Sequence, residues 1–273
     1  MEQFRQAAKR LDASDVVSLL REVYPEGVRG RNEAEALISF DREFTDPAPE
    51  WRGFIAEAVA DHLLCRSEPL GVIDAEKAAW LMQAIAPTGR IATRGGVQIL
   101  IRTIELARDL PPALTAFAIR ELWREVITAE GPAVEGRTHY SRVLDARDVA
   151  LLRQILEAGT GAVSAEEAEA LFDLHDAVAA SENDASFDDL FFRAVTNYML
   201  GASGGEVPSR ADAFSREPRR DTGQGIAAEC AAWLSSRIMR DGRPTAAERA
   251  LLSLLGNGAE PGSSLRSSFD RAA

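Results

Sequence analysis

Apolar residues recur at helical spacing along most of the chain. Val16, Leu19 and Val23 lie three and four positions apart, which places them on one face of a helix. No segment shows the two-residue alternation of apolar and polar positions that is typical of a half-buried strand. The pattern predicts an all-α fold of about eleven helices.

The same phrases return in the second half of the chain. LDASDVVSLL, from Leu11, returns as LDARDVALLR, from Leu144, and AAWLMQAIAPTGRI, from Ala78, returns as AAWLSSRIMRDGRP, from Ala231. Two further pairs lie between them in the same order: EAEAL occurs twice, and FIAEAVADHLL matches LFFRAVTNYML. Four matches in one order predict a tandem duplication of roughly half the chain.

Each half is predicted to be doubled again, which gives four repeats. IDAEKAAWLM and IAAECAAWLS resemble the openings of the two halves, and each opening predicts a helix. A glycine follows each of these helices, where the chain must turn through a positive φ. The glycines are Gly27, Gly89, Gly159 or Gly161, and Gly242.

Capping residues mark where the second helix of a repeat begins. Ser164 and Glu167, like Thr245 and Glu248, have the spacing of a capping box, in which a hydroxyl and a carboxylate satisfy each other's free backbone N–H groups. The glycine turn and the capped helix together predict one helical pair per repeat.

The repeats divide the chain into two halves. Residues 1–130 hold repeats 1 and 2, residues 131–143 form a linker, and residues 144–273 hold repeats 3 and 4. An insertion at residues 201–225, rich in Gly, Ser, Pro and Arg, is predicted to be a flexible loop or, alternatively, a loop that binds a partner. The candidate anchors in that loop are Phe214, Arg216, Arg219 and Arg220.

Composition limits the class of partner. The chain has 273 residues, 46% of them apolar, and a formal net charge of −12. An acidic surface disfavours nucleic acid and anionic membranes as partners. The two cysteines are expected to be buried free thiols. Without a signal peptide or a run of ~18 apolar residues, the protein is expected to be soluble and cytoplasmic, with no membrane partner.

The glycine turns allow a test for calcium ligands. An EF-hand loop needs oxygen ligands at positions 1, 3 and 5, a glycine at 6 and a glutamate at 12. With Gly242 at position 6, Asp241 falls at 5 and Glu248 at 12, but Arg237 falls at 1; repeat 1 keeps Glu33 at position 12. The turns resemble EF-hand-like helical pairs and, more loosely, the TerB-like tellurite-resistance domains.

Two interpretations of this resemblance stay open. The first implies a Ca²⁺ site, with Asp241, Glu248 and Glu33 as candidate ligands. In the second, the glycine ends one helix and the glutamate caps the next, so that no cofactor is needed.

Residues with catalytic chemistry are few. The chain has no HExxH, CxxC or GxSxG motif, so no catalytic residue is assigned. His62 is expected to pack on an amphipathic helix, and His175, aligned with Asp41, to lie on a polar face. Trp80 and Trp233, at equivalent positions, are expected to pack in the core.

The leading functional hypothesis is a non-enzymatic helical-repeat protein that binds another protein, because packed repeats build extended surfaces. The alternative is a sensor that responds to Ca²⁺ through degenerate EF-hand-like loops. A third hypothesis, an enzyme, would need a buried pocket in which His62 or His175 meets carboxylates.

Overall fold

The computed structural model describes residues 13–22, 24, 26–44, 47–128, 142–205, 207–215, 226–240 and 242–258. Twelve α-helices lie in these ranges, and no strand does; two residues, Val72 and Asp109, form an isolated bridge. The all-α prediction is confirmed. The chain divides into an N-terminal unit, Met1–Ser141, and a C-terminal unit, Arg142–Ala273.

The N-terminal unit contains six α-helices among its described residues. A π-helical turn, His62–Arg66, continues the third helix. The helices are α1 (Ala13–Glu22), α2 (Arg31–Asp41), α3 (Pro49–Asp61), α4 (Ala75–Ile85), α5 (Arg94–Leu106) and α6 (Pro112–Thr128).

The described part of the C-terminal unit also contains six helices. They are α7 (Ala146–Ala158), α8 (Ala165–Val178), α9 (Ser186–Ala202), α10 (Arg210–Ser215), α11 (Ala228–Ile238) and α12 (Ala246–Gly258).

The capping residues act as their spacing predicts. The Ser164 hydroxyl accepts from the Glu167 N–H at 3.2 Å, and the Glu167 carboxylate accepts from the Ser164 N–H at 2.8 Å. Thr245 and Glu248 form the same pair at 3.2 and 2.7 Å. Each capping box satisfies N–H groups that have no partner inside the helix, so the side chains set where α8 and α12 begin.

A glycine with positive φ precedes four of the helices. Gly27, Gly89, Gly161 and Gly242 have φ values of 73°, 82°, 66° and 70°. Residues other than glycine rarely adopt a positive φ, and at these positions the glycine turns the chain from one helix into the next. The structure also decides between two neighbours, since Gly159 has φ −73° and Gly161 makes the turn.

Aromatic side chains form the centre of each core. In the N-terminal unit, Trp51 is fully buried and meets Phe40 edge-on, with ring centroids 5.6 Å apart. In the C-terminal unit, Phe172 packs edge-on against Phe191 at 4.9 Å and Trp233 at 5.4 Å. Such pairs contribute about 0.5–1.5 kcal/mol each beyond the burial of their area.

Within the described residues 201–205 and 207–215, the insertion is more ordered than the flexible loop that its composition predicts. Helix α9 extends to Ala202, and residues 210–215 form α10. The Arg210 guanidinium is buried and donates to the carbonyls of Leu156 and Gly161 and to the Glu167 carboxylate. These carbonyls end α7 and form the glycine turn, where the helix supplies no donor, so Arg210 ties the insertion to the unit. Residues 216–225 lie outside the described residues.

Candidate functional site

Some of the predicted site residues fall in parts of the chain that the structure does not describe. These are Asp241 among the candidate metal ligands and Arg216, Arg219 and Arg220 among the candidate partner contacts. Their roles stay predictions.

Phe214, the predicted anchor for a partner, lies inside the C-terminal unit. Its side chain is 2% exposed, and its carbonyl accepts from Arg153 at 2.8 Å. The side chain therefore contributes to the core, and in this structure it offers almost no surface to a partner.

Glu33 and Glu248, the other candidate metal ligands, both accept backbone N–H groups near the start of their helices. The Glu33 carboxylate accepts from the Arg29 N–H at 2.8 Å, and that of Glu248 accepts from the Thr245 N–H at 2.7 Å. One Glu248 oxygen therefore closes the N-terminus of α12, as the capping interpretation predicts, whereas the Arg29 N–H lies one residue before Gly30, the N-cap of α2, which has no side-chain cap. These two glutamates come from different units of the chain.

Two tryptophans at equivalent sequence positions make equivalent hydrogen bonds. The Trp80 indole donates to Glu35 at 2.6 Å, and the Trp233 indole donates to Glu169 at 2.7 Å. Both glutamates are the second glutamate of an EAEAL phrase. Trp80 is buried and Trp233 half-buried, so the expected core packing is confirmed for the first and partial for the second.

The same tryptophans also meet equivalent ring partners. His62 contacts Trp80 edge-on at 6.4 Å between centroids, and Tyr198 contacts Trp233 edge-on at 4.8 Å. His62 and Tyr198 match when FIAEAVADHLL is aligned with LFFRAVTNYML. The expected packing role of His62 is confirmed.

A groove runs between α2 and α4 of the N-terminal unit. We call it the α2–α4 groove; its volume is about 540 Å³. Arg31 lies across one end, with its guanidinium 5.4 Å from the Trp80 ring and 3.3 Å from Glu35. At the other end, Arg42 donates to the Ala84 carbonyl. The lining residues are Arg31, Glu35, Ile38, Ser39, Arg42, Glu76, Ala79, Trp80, Gln83, Ala84 and Pro87.

In the C-terminal unit, two arginines cross the corresponding surface between α8 and α11. Arg237 donates to Glu169 at 3.1 Å, and Arg240 donates to Asp173 at 2.9 Å. In the alignment of the two AAWL segments, these arginines correspond to the smaller residues Ala84 and Pro87 of the N-terminal unit. These two smaller side chains line the α2–α4 groove.

His175 lies in the core of the C-terminal unit, so the prediction of a polar helix face is wrong. It is 2% exposed, and its ring stacks on Phe191 with centroids 4.1 Å apart and planes 12° apart. Its Nδ1 lies 3.8 Å from an Asp176 oxygen and 4.0 Å from a Glu248 oxygen. We call these three residues the His175 cluster; their candidate ligand atoms lie within 4.8 Å of one another.

The carboxylate of Asp176 stays ionised more readily than an ordinary aspartate. Burial raises its pKa, but the nearby His175 and the Arg240 guanidinium lower it by more, so that the pKa of Asp176 lies below its usual value. The Arg240 Nε donates to one Asp176 oxygen at 2.9 Å, and the other oxygen faces His175. The cluster therefore presents negative charge to the His175 ring.

A second histidine borders a cavity of about 180 Å³ in the N-terminal unit. His62 lines it together with Asp74, Glu76 and Lys77. The Lys77 ammonium is occupied, since it donates to four backbone carbonyls between Leu63 and Val72 at 2.7–3.0 Å. Burial lowers the pKa of His62, and Lys77 and Arg66 lower it further. The lysine of this cavity is therefore committed to the fold.

The sequence did not predict the His175 cluster because its members are far apart in the chain. Thr245, which begins the capping box of Glu248, lies 70 positions from His175. No local motif brings such residues together. One signal was present in the repeats: where the first half has Asp41 and Gly95, the second has His175 and Glu248. A paired exchange at two aligned positions indicates that the two positions are in contact.

Comparison with protein-family models, curated proteins and solved structures gives no match for this chain. Within the described residues, no helix has the length and apolar character needed to cross a membrane. The two cysteines are free, as expected, but Cys65 is exposed and only Cys230 is buried.

Proposed function

We propose that this protein is a helical-repeat module that binds a protein partner, and that the partner's bound segment occupies the α2–α4 groove. The main observation in support is the groove itself, which is lined by the apolar side chains of Ile38 and Trp80 and has the positively charged Arg31 and Arg42 at its ends. Protein interfaces combine an aromatic or aliphatic centre with a polar rim in the same way.

The proposal includes a duplicated architecture of four EF-hand-like repeats in two halves. Its support is the set of contacts that recur at aligned positions. Each half places a tryptophan against the second glutamate of EAEAL, at 2.6 and 2.7 Å, and a second ring, His62 or Tyr198, against the same tryptophan. Helices that pack as repeats build extended surfaces, on which small changes of side chain open a binding site.

The occupant that we propose is a basic segment of another protein, with Lys or Arg beside an apolar side chain. One argument is long-range: a chain with net charge −12 attracts basic partners and repels acidic ones. The other is local: on the corresponding surface of the C-terminal unit Arg237 bonds Glu169, and the groove keeps the equivalent Glu35. A cation of the partner would compete with Arg31 for Glu35 and for Glu76, whose side chain is 86% exposed and lies 3.6 Å from the Arg31 guanidinium.

The test begins with a photo-crosslinking residue at Gln83, an exposed residue that lines the groove. The crosslinked partner segment is identified and synthesised as a peptide, and its affinity is measured by fluorescence anisotropy with the full-length protein. The double variant Ala84→Arg with Pro87→Arg copies the arginines of the C-terminal unit. It should weaken binding at least tenfold, which corresponds to about 1.4 kcal/mol.

The matched control is Leu70→Arg with Leu106→Arg, which adds the same charge at two exposed positions. This control should bind the peptide as the wild type does, and added salt should weaken binding in both. An acidic crosslinked segment, no crosslinked segment, or equal loss in both double variants would each overturn the proposal. Circular dichroism spectra and melting curves show whether every variant is folded.

A further inference from the structure

We infer that the His175 cluster is a binding site for one divalent transition-metal ion of the Zn²⁺ class. His175 and Asp176 belong to the last turn of α8, and Glu248 belongs to the first turn of α12. A bound ion would therefore join two helices of the C-terminal unit. This inference does not depend on the α2–α4 groove, which lies in the N-terminal unit.

The distances suit a shared cation better than direct hydrogen bonds. The His175 Nδ1 is 3.8 and 4.0 Å from the two carboxylate oxygens, beyond hydrogen-bond range. Ligands held about 2.0–2.2 Å from Zn²⁺ in a tetrahedral site lie roughly 3.4 Å from one another. Shifts of about half an ångström would bring the His175 Nδ1 to that spacing from each carboxylate oxygen, and the two carboxylate oxygens, which lie within 4.8 Å of one another, would close by at most about 1.4 Å.

The His175 ring provides an independent indication of a ligand. It is almost completely buried, and its Nδ1 has no hydrogen-bond partner among the described residues. A buried polar atom without a partner costs free energy, and native proteins rarely leave one. Stacking on Phe191 fixes the plane of the ring, so that Nδ1 points to the side where Asp176 and Glu248 lie.

A second atom of each ligand side chain is held by another group. Thr245 lies within 3.4 Å of the His175 Nε2 and donates its backbone N–H to one Glu248 oxygen at 2.7 Å. Arg240 holds one Asp176 oxygen at 2.9 Å. Outer contacts of this kind orient metal ligands and are part of a metal site. Each side chain is thus left with one atom for the ion.

Charge and ligand type select the class of ion. Asp173, Asp176 and Glu248 carry three carboxylates against the guanidinium of Arg240, which leaves two formal negative charges beside the imidazole of His175. A dication neutralises them. One imidazole nitrogen with two carboxylates suits Zn²⁺ and other divalent first-row transition metals, whereas Ca²⁺ takes about six or more oxygen ligands.

The test uses the full-length protein, stripped with EDTA and titrated with Zn²⁺ in competition with a chromophoric chelator. We expect one ion per chain and a melting temperature raised by several degrees when Zn²⁺ is present at ~100 times Kd. Co²⁺ in place of Zn²⁺ should give visible absorption bands, and its X-ray absorption should show one imidazole in the first shell.

Two variants remove ligands while they preserve local structure. His175→Phe keeps a ring to stack on Phe191, and Glu248→Gln keeps the capping box, which accepts Glu or Gln. Each should weaken Zn²⁺ binding at least tenfold. Matched controls are His62→Phe, at the buried histidine of the N-terminal unit, and Cys65→Ser, at the exposed thiol.

The inference is overturned if the wild type binds no Zn²⁺ at one ion per chain, or if His175→Phe and Glu248→Gln bind as the wild type does. Loss of binding in His62→Phe or Cys65→Ser would place the ion elsewhere and would also reject it. Should neither ligand variant fold, the X-ray absorption of the Co²⁺-loaded wild type decides, because a first shell without imidazole contradicts the site.

Discussion

At the scale of single residues, each unit places a buried carboxylate at the first turn of a helix. Asp41 extends from α2 towards α5, where a Cβ at Gly95 would overlap its carboxylate. Glu248 belongs to α12 itself and faces His175 of α8. Helix N-termini favour negative charge and offer free N–H groups. This explains why each unit keeps one carboxylate there, although it is Asp41 beside Gly95 in the first unit and Glu248 beside His175 in the second.

Asp41 also allows a prediction of how stability depends on pH. Burial raises its pKa above the ordinary 3.8, and the hydrogen bonds of Thr93 and Trp51 and the charges of Arg42 and Arg52 offset only part of the rise. The folded state therefore favours the protonated carboxyl. Its contribution to stability is fully present below the pKa of the unfolded chain and is lost as pH rises through the folded pKa.

Asp41→Asn removes this titration and keeps an oxygen that can accept from the Trp51 indole, now 2.6 Å from Asp41. The variant should gain stability relative to the wild type as pH rises from about 4 to 7. Urea unfolding at a series of pH values measures the difference. A constant difference across that range would show that Asp41 does not titrate differently in the folded chain.

At the scale of helices, a buried ion pair decides the structure of the inserted segment. The Arg210 guanidinium bonds the Glu167 carboxylate at 2.7 Å, with side chains that are 2% and 0% exposed. The same guanidinium satisfies carbonyls at the end of α7 and in the following turn. Since Glu167 also caps α8, one carboxylate links the start of α8 to α10.

Arg210→Met should destabilise the protein by about 3–5 kcal/mol, because Glu167 would be left as a buried charge without its partner. Chemical denaturation measures the loss, and limited proteolysis should show faster cleavage near α10. Glu57→Gln is a control, since it removes an exposed pair with Arg102 and should cost at most about 1 kcal/mol. An Arg210→Met loss no larger than the control's would show that the buried pair contributes little.

The helices that the sequence predicts best are those with local signals. Apolar spacing, glycine turns and capping boxes predicted α7, α8, α11 and α12 because each signal acts within a few residues. Helix α10 was missed because its composition suggests a loop, and the contact that orders it joins Arg210 to Glu167, 43 positions away. The His175 cluster was missed for the same reason, since tertiary packing alone brings its members together.

At the scale of the whole molecule, the glycine turns serve the architecture in both units. Gly27 precedes α2 and Gly242 precedes α12, and the glutamate that follows each turn accepts backbone N–H groups at its helix start. The same glycine turn occurs beside different side chains in the two units. The N-terminal unit has the α2–α4 groove, and the C-terminal unit has Arg237 and Arg240 at the corresponding surface. The two units thus share this turn while they differ in the chemistry of their surfaces.

The two cation hypotheses separate in one measurement on the full chain, a thermal melt in EGTA and then in millimolar Ca²⁺, Mg²⁺ or Zn²⁺. We expect Ca²⁺ and Mg²⁺ to leave the melting temperature unchanged, because one oxygen of Glu33 and one of Glu248 already accept backbone N–H groups and Ca²⁺ needs about six or more oxygen ligands. Zn²⁺ should raise it by several degrees. A Ca²⁺-dependent rise that disappears in Glu33→Gln, a variant that leaves the His175 cluster intact, would instead support the calcium sensor.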